Sequence, residues 1–290
     1  MIHHQVKILY IQHQSFGDVL VSTAILRKLK EAHSNSLLDY YTTTACAPLV
    51  IGNPDINRIY TERYAPQHIE NYDILLRPYR CLQMTGGWHT SGKHFMDLYA
   101  EVCGVNLNRD YRIFFNNFEE VPPPAPKYIL IHCKTNDPAK DYDRFPELVS
   151  AIRAKLKLPV FQLSGEKDPI IPGITGRLRE TWPKVAHYIS KAITTVCLDS
   201  APQHLAGAIG APYIALYGAK DMHMVRSGVV GNGGTAIGTA DFQFGLEPLD
   251  RNGCPEACHL AQCHNRQGKC INNITPEEIL GLIDKTIQKG

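Results

Sequence analysis

An aspartate, a serine and a histidine lie close together in the second half of the chain, at Asp199, Ser200 and His204. The preceding residues 194–198 are β-branched and apolar, which predicts a covered strand. Asp199 and Ser200 are good N-cap residues and Pro202 suits a first helical turn, so a helix should begin here. A helix N-terminus at the carboxyl end of a strand favours anionic ligands. The pattern predicts an anion site, although an ordinary capped helix fits the same residues.

A second unit of the same kind opens the chain. Residues 6–12 predict a strand, and residues 17–33 predict a helix with apolar residues at helical spacing. Asp18 therefore lies at a helix start, where a carboxylate usually serves as a cap. Two strand–loop–helix units in separate halves suggest two similar domains that face each other across a cleft.

Four segments resemble, in the same order, motifs of the ADP-heptose:lipopolysaccharide heptosyltransferases. They are SFGDVLVSTAILRKLKEA, KDYDRFPELVSAI, VCLDSAPQHLAGAIGAPYIALYG and a cysteine-rich tail that ends in INNITPEEIL. The resemblance implies an α/β protein of the GT-B fold, with two Rossmann-like domains whose parallel sheets face a cleft. It also implies inverting transfer of a heptose or related sugar from a nucleotide-diphosphate donor, with ADP-heptose the expected one, and no catalytic metal.

The composition agrees with two globular domains. A chain of 290 residues can bury two α/β cores. Its formal net charge of +2 gives no reason to expect a nucleic-acid partner. No apolar run approaches membrane-spanning length, and the first residues read as a strand rather than a signal peptide. We expect a cytoplasmic protein without a transmembrane segment, with peripheral attachment at the inner membrane as the alternative.

A proline-rich stretch, VPPPAP at residues 121–126, marks the expected domain boundary because such a spacer is stiff and extended. We predict an acceptor-side Rossmann-like domain over residues 1–121 and a nucleotide-sugar-binding Rossmann-like domain over 122–274. A C-terminal helix over 275–290 is expected from the resemblance to cross back to the first domain. The glycine-rich residues 231–245 predict a mobile loop. Strands are predicted at 6–12, 37–42, 57–61, 72–76, 128–132, 158–163, 185–189, 194–198 and 213–217.

Inverting sugar transfer needs a base for the acceptor hydroxyl and positive or dipolar groups for the departing diphosphate. The resemblance assigns the base to Asp18, and it places Lys140 on the donor phosphates. The local spacing leaves Lys134 and Arg144 as alternatives to Lys140. At position 201 the family usually has glycine, where this chain has alanine. An acid that holds a ribose is predicted at Asp168, with Glu166 as its alternative. The further donor-side predictions are Asp199, Ser200, Ala201, His204 and Gly218, and backbone N–H groups after Ser200 are predicted to bind phosphate oxygens.

The acceptor cannot be read from the residues, and a saccharide, a lipid-linked molecule and a protein all remain open. The segment over residues 77–104 should line the acceptor side. Within it, His89, Lys93 and His94 are predicted anion contacts.

The chain contains nine cysteines, and four of them are bunched in the tail. Cys254, Cys258, Cys263 and Cys270 follow the spacing C-x3-C-x4-C-x6-C, and four thiols this close can hold one tetrahedral zinc or iron ion. Such an ion would be structural, because four protein ligands leave no open position. Reduced or disulfide-forming cysteines are the alternative. The other five should be buried small apolar residues.

Two other classes of function remain open. One is a nucleotide-sugar-binding protein without catalysis, which the alanine at position 201 makes plausible. The other is an assembly module built on the cysteine-rich segment at residues 254–270, and a homo-oligomer is compatible with either.

Overall fold

The computed structural model describes residues 5–13, 15–85, 93–218, 228–230, 236–237, 243–249 and 269–289. The chain divides into two compact units. The first contains Met1–Asn117 and Ser227–Ala236, and the second contains Phe118–Arg226 and Ile237–Gly290. The change of unit after Asn117 lies close to the boundary expected at residue 121, whereas the return of the chain to the first unit was not predicted.

The first unit is built on a four-stranded parallel sheet. The strands are β1 (Lys7–Ile11), β2 (Leu37–Tyr41), β3 (Arg58–Tyr60) and β4 (Ile74–Leu76), in the order β3-β2-β1-β4. Its helices are α1 (Phe16–Ala32), α2 (Pro78–Thr85) and α3 (Phe95–Val102).

Helix α1 packs on one face of this sheet through a continuous apolar side. Its residues Val19, Leu20, Ile25 and Leu26 are fully buried. The helix begins where Ser15, at the N-cap, accepts a hydrogen bond from the backbone N–H of Asp18. The sequence predicted this helix and the preceding strand nearly residue for residue.

The second unit is built on a six-stranded parallel sheet. The strands are β6 (Ile129–His132), β7 (Val160–Leu163), β8 (Gly176–Leu178), β9 (Thr194–Leu198), β10 (Tyr213–Leu216) and β13 (Gln243–Leu246), in the order β13-β10-β9-β6-β7-β8. The core between this sheet and its helices is mainly aliphatic, as expected for strands that are covered on both faces. The helices are α4 (Phe145–Ala151), α5 (Trp182–Lys191), α6 (Ala201–Ala208) and α7 (Pro276–Lys289).

Two sequence predictions in this unit are wrong. Residues 185–189 were expected to form a strand, but they lie inside α5 and all five are buried. A helix covered on several sides reads as a short apolar run, which periodicity cannot distinguish from a strand. Part of the predicted glycine-rich loop is instead strand β13, which pairs in parallel with β10.

The C-terminal helix begins as predicted. Thr275 and Glu278 form a capping box: the Thr275 N–H donates to Glu278 Oε2 at 2.7 Å, and the Glu278 N–H donates to Thr275 Oγ1 at 3.2 Å. Ile279 and Ile283 of α7 are buried in the core of the second unit, where α7 packs beside α4. The expected crossing of this helix to the first domain stays a prediction.

A small sheet completes the first unit. Strand β5 (Asp110–Tyr111) pairs antiparallel with β11 (Gly228–Val230), and β12 (Ala236–Ile237) lies beside β11. Within the described ranges, no helix is both long enough and apolar enough to cross a membrane.

Candidate active site

The predicted donor residues of the second unit lie where its parallel strands end. Strand β6 ends at His132, β7 at Leu163, β9 at Leu198 and β10 at Leu216. Because these four strands are neighbours and run in parallel, the loops that follow them lie along one edge of the sheet. We call this edge, with the loops that begin at residues 133, 164, 199 and 217, the donor edge.

An ion pair joins two distant segments at the donor edge. Lys140 Nζ donates to Asp199 Oδ2 at 2.6 Å and to the Asp199 carbonyl oxygen at 3.3 Å. The side chains of Lys140 and Asp199 are 19% and 8% exposed, so water screens this pair only in part. The pair places an ammonium group directly before the first turn of α6, which is where an anionic ligand is favoured.

The two alternatives to Lys140 are held elsewhere. Lys134 pairs with Asp141, and Arg144 donates to Glu147 Oε2 from Nε at 2.9 Å. Among these three cations, only Lys140 is recorded in a hydrogen bond to the strand-end residue Asp199. This contact favours Lys140 as the donor-side lysine, which the spacing in the sequence left open.

Ser200 stands at the N-cap position of α6, but its hydroxyl does not cap the helix. The Ser200 hydroxyl donates to the Leu198 carbonyl at 3.0 Å, and its oxygen lies 3.1 Å from His132 Nδ1. Since the hydroxyl proton points to the carbonyl, Nδ1 of His132 should carry the proton that Ser200 accepts. Burial lowers the pKa of His132 to about 4, so its ring is neutral at neutral pH. His132 was not among the residues predicted for the site, although it is the last residue of a predicted strand.

The first turn of α6 offers fewer free amides than predicted. Pro202 has no N–H, and the N–H groups of Gln203 and His204 both donate to the Ser200 carbonyl, at 3.0 and 3.4 Å. His204 is buried, and burial lowers its pKa to about 4, with Lys140 adding to the effect and Asp199 opposing it. A neutral His204 can orient a phosphate or the loop by hydrogen bonding, but it adds no positive charge.

Asp168, the acid predicted to hold a ribose, forms a hydrogen bond within its own loop. Asp168 Oδ2 accepts the Gly165 N–H at 2.6 Å, whereas the exposed Glu166 lies 3.8 Å from Arg179. Arg177, which the sequence did not single out, fastens this loop by donating from Nη2 to the carbonyls of Gly165 and Asp168, at 3.0 and 3.3 Å. Asp168 therefore has a structural role, and its contact with a ribose stays a prediction.

Gly218 is required by packing. A Cβ atom at this position would lie 2.6 Å from Cβ of Ile271, which no native structure tolerates. The turn Cys270–Asn273, which contains Ile271, thus packs directly against Gly218 in the loop that follows β10. Any contact of Gly218 with a donor remains a prediction.

In the first unit, Asp18 lies in the first turn of α1 and is half-buried. The Ser15 hydroxyl donates to its Oδ2 at 2.5 Å, and the Tyr99 hydroxyl donates to its Oδ1 at 3.0 Å. The N-cap of α1 is Ser15, so capping does not account for Asp18. Its carboxylate is presented by a helix N-terminus and oriented by two hydroxyl groups, which suits a base.

The class of this protein follows from its match to a family model. The model of glycosyltransferase family 9 (heptosyltransferase) matches residues 94–243, more than half of the chain. The chain belongs to this family. It is therefore a glycosyltransferase, and its two parallel sheets with flanking helices are the GT-B fold that the sequence resemblance implied.

Individual relatives of this glycosyltransferase agree with the family match. Lipopolysaccharide heptosyltransferase 3 of Escherichia coli K12 is 20% identical in an alignment with a length of 286 positions, which covers 71% of this chain and 80% of the relative. Among solved structures, the iron-containing dodecameric glycosyltransferase TibC of enterotoxigenic E. coli matches with a TM-score of 0.71 at 15% identity, over 98% of this chain and 76% of TibC. The ADP-heptose lipopolysaccharide heptosyltransferase II of E. coli matches with a TM-score of 0.64 at 15% identity, over 98% and 99% of the two chains. TibC has also been solved with ADP-D-β-D-heptose.

The predicted acceptor-side residues of this family 9 member have local partners. Lys93 Nζ lies 2.6 Å from Glu101 in an exposed pair. His94 is buried: its Nδ1 accepts the Met96 N–H at the start of α3, and its ring stacks on Tyr111 with centroids 3.8 Å apart. The structure thus gives His94 a helix-capping role, while His89 lies outside the described residues.

A wide groove lies on the first unit, on the sheet face opposite α1. Tyr40 faces α1, since its hydroxyl lies 2.7 Å from Ser22 Oγ, so its strand neighbour Asp39 points to the other face. The groove has a volume of about 740 Å³. Asp39 accepts from Asn57 Nδ2 at 2.7 Å and from the Tyr72 hydroxyl at 2.6 Å. Around Asp39 stand basic and aromatic side chains: Lys7, Arg58, Arg63, Tyr60 and Tyr64.

Of the four tail cysteines, Cys254, Cys258 and Cys263 lie outside the described residues, whereas Cys270 is buried. In the part of the chain that the structure describes, no group of three or more His, Cys, Asp or Glu side chains could hold a metal ion. The other five cysteines are free; four are buried as predicted, but Cys81 is exposed on α2, where the prediction was wrong.

Proposed function

We propose that this glycosyltransferase moves a heptose, or a closely related sugar, from a nucleoside-diphosphate donor to a hydroxyl acceptor with inversion at the anomeric carbon. ADP-heptose is the expected donor. The observation that carries this proposal is the meeting of Lys140 and Asp199 at the donor edge, directly before the N-terminus of α6. The family match and the complex of TibC with ADP-D-β-D-heptose support the same donor class.

At the donor edge, Lys140 would bind the diphosphate. Its ammonium group is already positioned by Asp199, and a phosphate oxygen can share or replace that contact as negative charge develops on the leaving group. Asp199 would then accept from sugar or ribose hydroxyls. With the Gln203 and His204 amides engaged by the Ser200 carbonyl, Lys140 should supply more of the phosphate binding than the backbone does. Binding of the donor by Ser200, Ala201, His204, Asp168 and Gly218 stays part of this proposal.

Asp18 would act as the general base. It takes the proton of the acceptor hydroxyl as that oxygen bonds to the anomeric carbon and the bond from this carbon to the diphosphate oxygen breaks. The nucleoside diphosphate leaves with the electron pair. None of these steps needs a bound metal ion, because Lys140 supplies the positive charge that stabilises the departing diphosphate.

The groove on the first unit is our proposed site for a saccharide part of the acceptor that carries negative charge. Tyr60, Tyr64 and Tyr72 offer ring faces to a sugar, and Arg58 and Arg63 offer bidentate donors to phosphate or carboxylate groups. Tyr64 is 77% exposed, which leaves its ring free for stacking. On an array of acidic oligosaccharides, Tyr64→Ala and Arg63→Ala should each reduce retention of the protein and leave ADP affinity unchanged.

The four tail cysteines are proposed to hold one structural zinc or iron ion. The iron-containing relative TibC supports this proposal, and its dodecameric state supports an oligomer. Metal analysis of the purified protein should find about one ion per chain, as four thiolates form one closed site. The ion and the oligomer should both be lost in Cys258→Ser if the segment also serves assembly. A cytoplasmic location remains a prediction.

A thermal-shift panel of nucleoside diphosphates and nucleotide sugars tests the donor, because a ligand that binds only the folded state raises its stability. ADP and ADP-heptose should raise the melting temperature most. Asp18→Asn should then reduce ADP release from ADP-heptose by about a hundredfold or more with donor binding intact. Tight donor binding without turnover in the wild type would instead identify a nucleotide-sugar-binding protein. Near-normal turnover in Asp18→Asn would remove Asp18 as the base.

A further inference from the structure

The Asp18 carboxylate is held on both oxygens by side chains from different parts of the first unit. Ser15 precedes α1 and donates to Oδ2 at 2.5 Å, whereas Tyr99 belongs to α3 and donates to Oδ1 at 3.0 Å. The Ser15 oxygen also accepts the Asp18 N–H at 3.3 Å, so this contact is reciprocal. Each hydroxyl holds a different oxygen, so the two contacts together restrain the plane of the carboxylate.

Tyr99 is itself immobilised. It is 4% exposed, and its ring packs edge-on against Phe95 with centroids 5.9 Å apart. Burial, followed by the negative charge of Asp18, raises the pKa of Tyr99 well above its ordinary value. The hydroxyl consequently remains protonated and donates to Asp18 throughout the range in which an enzyme works.

Other phenols and a thiol share this environment. Tyr10 on β1, Tyr40 on β2, Tyr79 on α2 and Cys46 all have pKa values raised first by burial and further by the charge of Asp18. These phenols and this thiol therefore stay neutral beside Asp18. Tyr99 contacts the carboxylate directly, because its hydroxyl donates to Asp18 Oδ1.

We propose that Tyr99 and Ser15 are positioning residues that fix the orientation of the Asp18 carboxylate. The inference rests on the proposed role of Asp18 as base. A misplaced base loses much of its rate advantage, since an error of about 1 Å can cost about a hundredfold in turnover. Tyr99 restrains the Asp18 carboxylate from a distant part of the chain, because its hydrogen bond connects α3 to the first turn of α1.

The test is a double-mutant cycle with Tyr99→Phe and Asp18→Asn, read as ADP release from ADP-heptose with water as the acceptor. Tyr99→Phe should lower kcat by about ten- to a hundredfold, the value of one hydrogen bond to a charged group, and leave KM for ADP-heptose unchanged. In the Asp18→Asn background, Tyr99→Phe should cause no further loss, because residues that act through one group are not additive.

Tyr111→Phe is the matched control. Tyr111 is as buried as Tyr99, and its hydroxyl likewise donates to a carboxylate. In this case the acceptor is Oδ2 of Asp97 on α3, at 2.5 Å. This variant should lower the melting temperature by about as much as Tyr99→Phe does and should leave kcat within about twofold of the wild type. If Tyr99→Phe does not fold, Ser15→Gly is the variant to test, since glycine is well tolerated at an N-cap.

The outcomes separate the inference from the proposed function. If Asp18→Asn abolishes turnover while Tyr99→Phe and Ser15→Gly keep the wild-type kcat, positioning is wrong and the base stands. An equal loss from Tyr99→Phe in both backgrounds would assign Tyr99 a merely structural role and overturn the inference. A wild type that releases no ADP, or an Asp18→Asn variant with unchanged turnover, would refute the proposed function and this inference with it.

Discussion

Replacing Lys140 by methionine should separate the stability of the donor edge from its affinity for the donor. Methionine keeps most of the aliphatic stem and removes the ammonium group that donates to Asp199 at 2.6 and 3.3 Å. Asp199, whose side chain is 8% exposed, then loses its cation. Removing one partner of a fully buried pair costs about 3–5 kcal/mol; this pair is partly wet, so we expect a loss of about 1–3 kcal/mol in the free energy of unfolding.

The same change should weaken ADP binding. One charge-assisted hydrogen bond contributes about 1.5–3 kcal/mol, so Kd for ADP should rise by about ten- to a hundredfold in isothermal titration calorimetry. Lys134→Met is the matched control, because Lys134 lies in the same segment and forms a comparable pair with Asp141. It should lower stability and leave Kd for ADP unchanged.

A further variant separates the two effects of Lys140. Asp199→Asn added to Lys140→Met removes the buried carboxylate that has lost Lys140, so stability should recover while ADP affinity stays low. Equal changes in Kd for Lys140→Met and Lys134→Met would refute the reasoning. So would an unchanged Kd in Lys140→Met.

Three further predictions concern stability. Burial lowers the pKa of His204 to about 4, so this residue takes up a proton on unfolding below about pH 6.5. The free energy of unfolding should therefore fall by about 2 kcal/mol from pH 7 to pH 5, measured by urea unfolding. His132 should lower it further in the same direction, and a stability that does not change with pH would contradict both assignments. Gly218→Ala should cost about 1–3 kcal/mol, measured by thermal unfolding, because the added Cβ would lie 2.6 Å from Cβ of Ile271; Ile271→Ala should not restore this loss, because alanine keeps that Cβ atom. Thr275→Ala should cost about 1 kcal/mol through the lost capping box; a loss below a few tenths would show that the terminal helix frays independently of the core.

Much of the fold follows from local patterns in the sequence. Strands β1 and β9 were readable because covered parallel strands are continuous apolar runs, and α1 and α7 because their apolar spacing and caps agree. The error at residues 185–189 has the same origin, since a helix buried on several sides leaves the same short apolar run as a strand.

The candidate site could be predicted only where it depends on strand ends. Asp18 and Asp199 each follow a predicted strand, so parallel pairing places them at the carboxyl edge of a sheet without further information. The hydrogen bond from Tyr99 to Asp18 could not be predicted, because the two residues are 81 positions apart and neither residue type requires the other as a partner.

The sequence by itself determined the class of protein, the alternation of strands and helices, and the two strand–helix junctions that carry Asp18 and Asp199. Those properties depend on neighbours within a few residues, which periodicity and capping rules describe. Tertiary structure alone decided that Lys140 reaches Asp199 and that Gly218 has no room for a side chain. These outcomes arise from contacts between distant segments, where the packing of the whole sheet decides which of several chemically equivalent side chains meet.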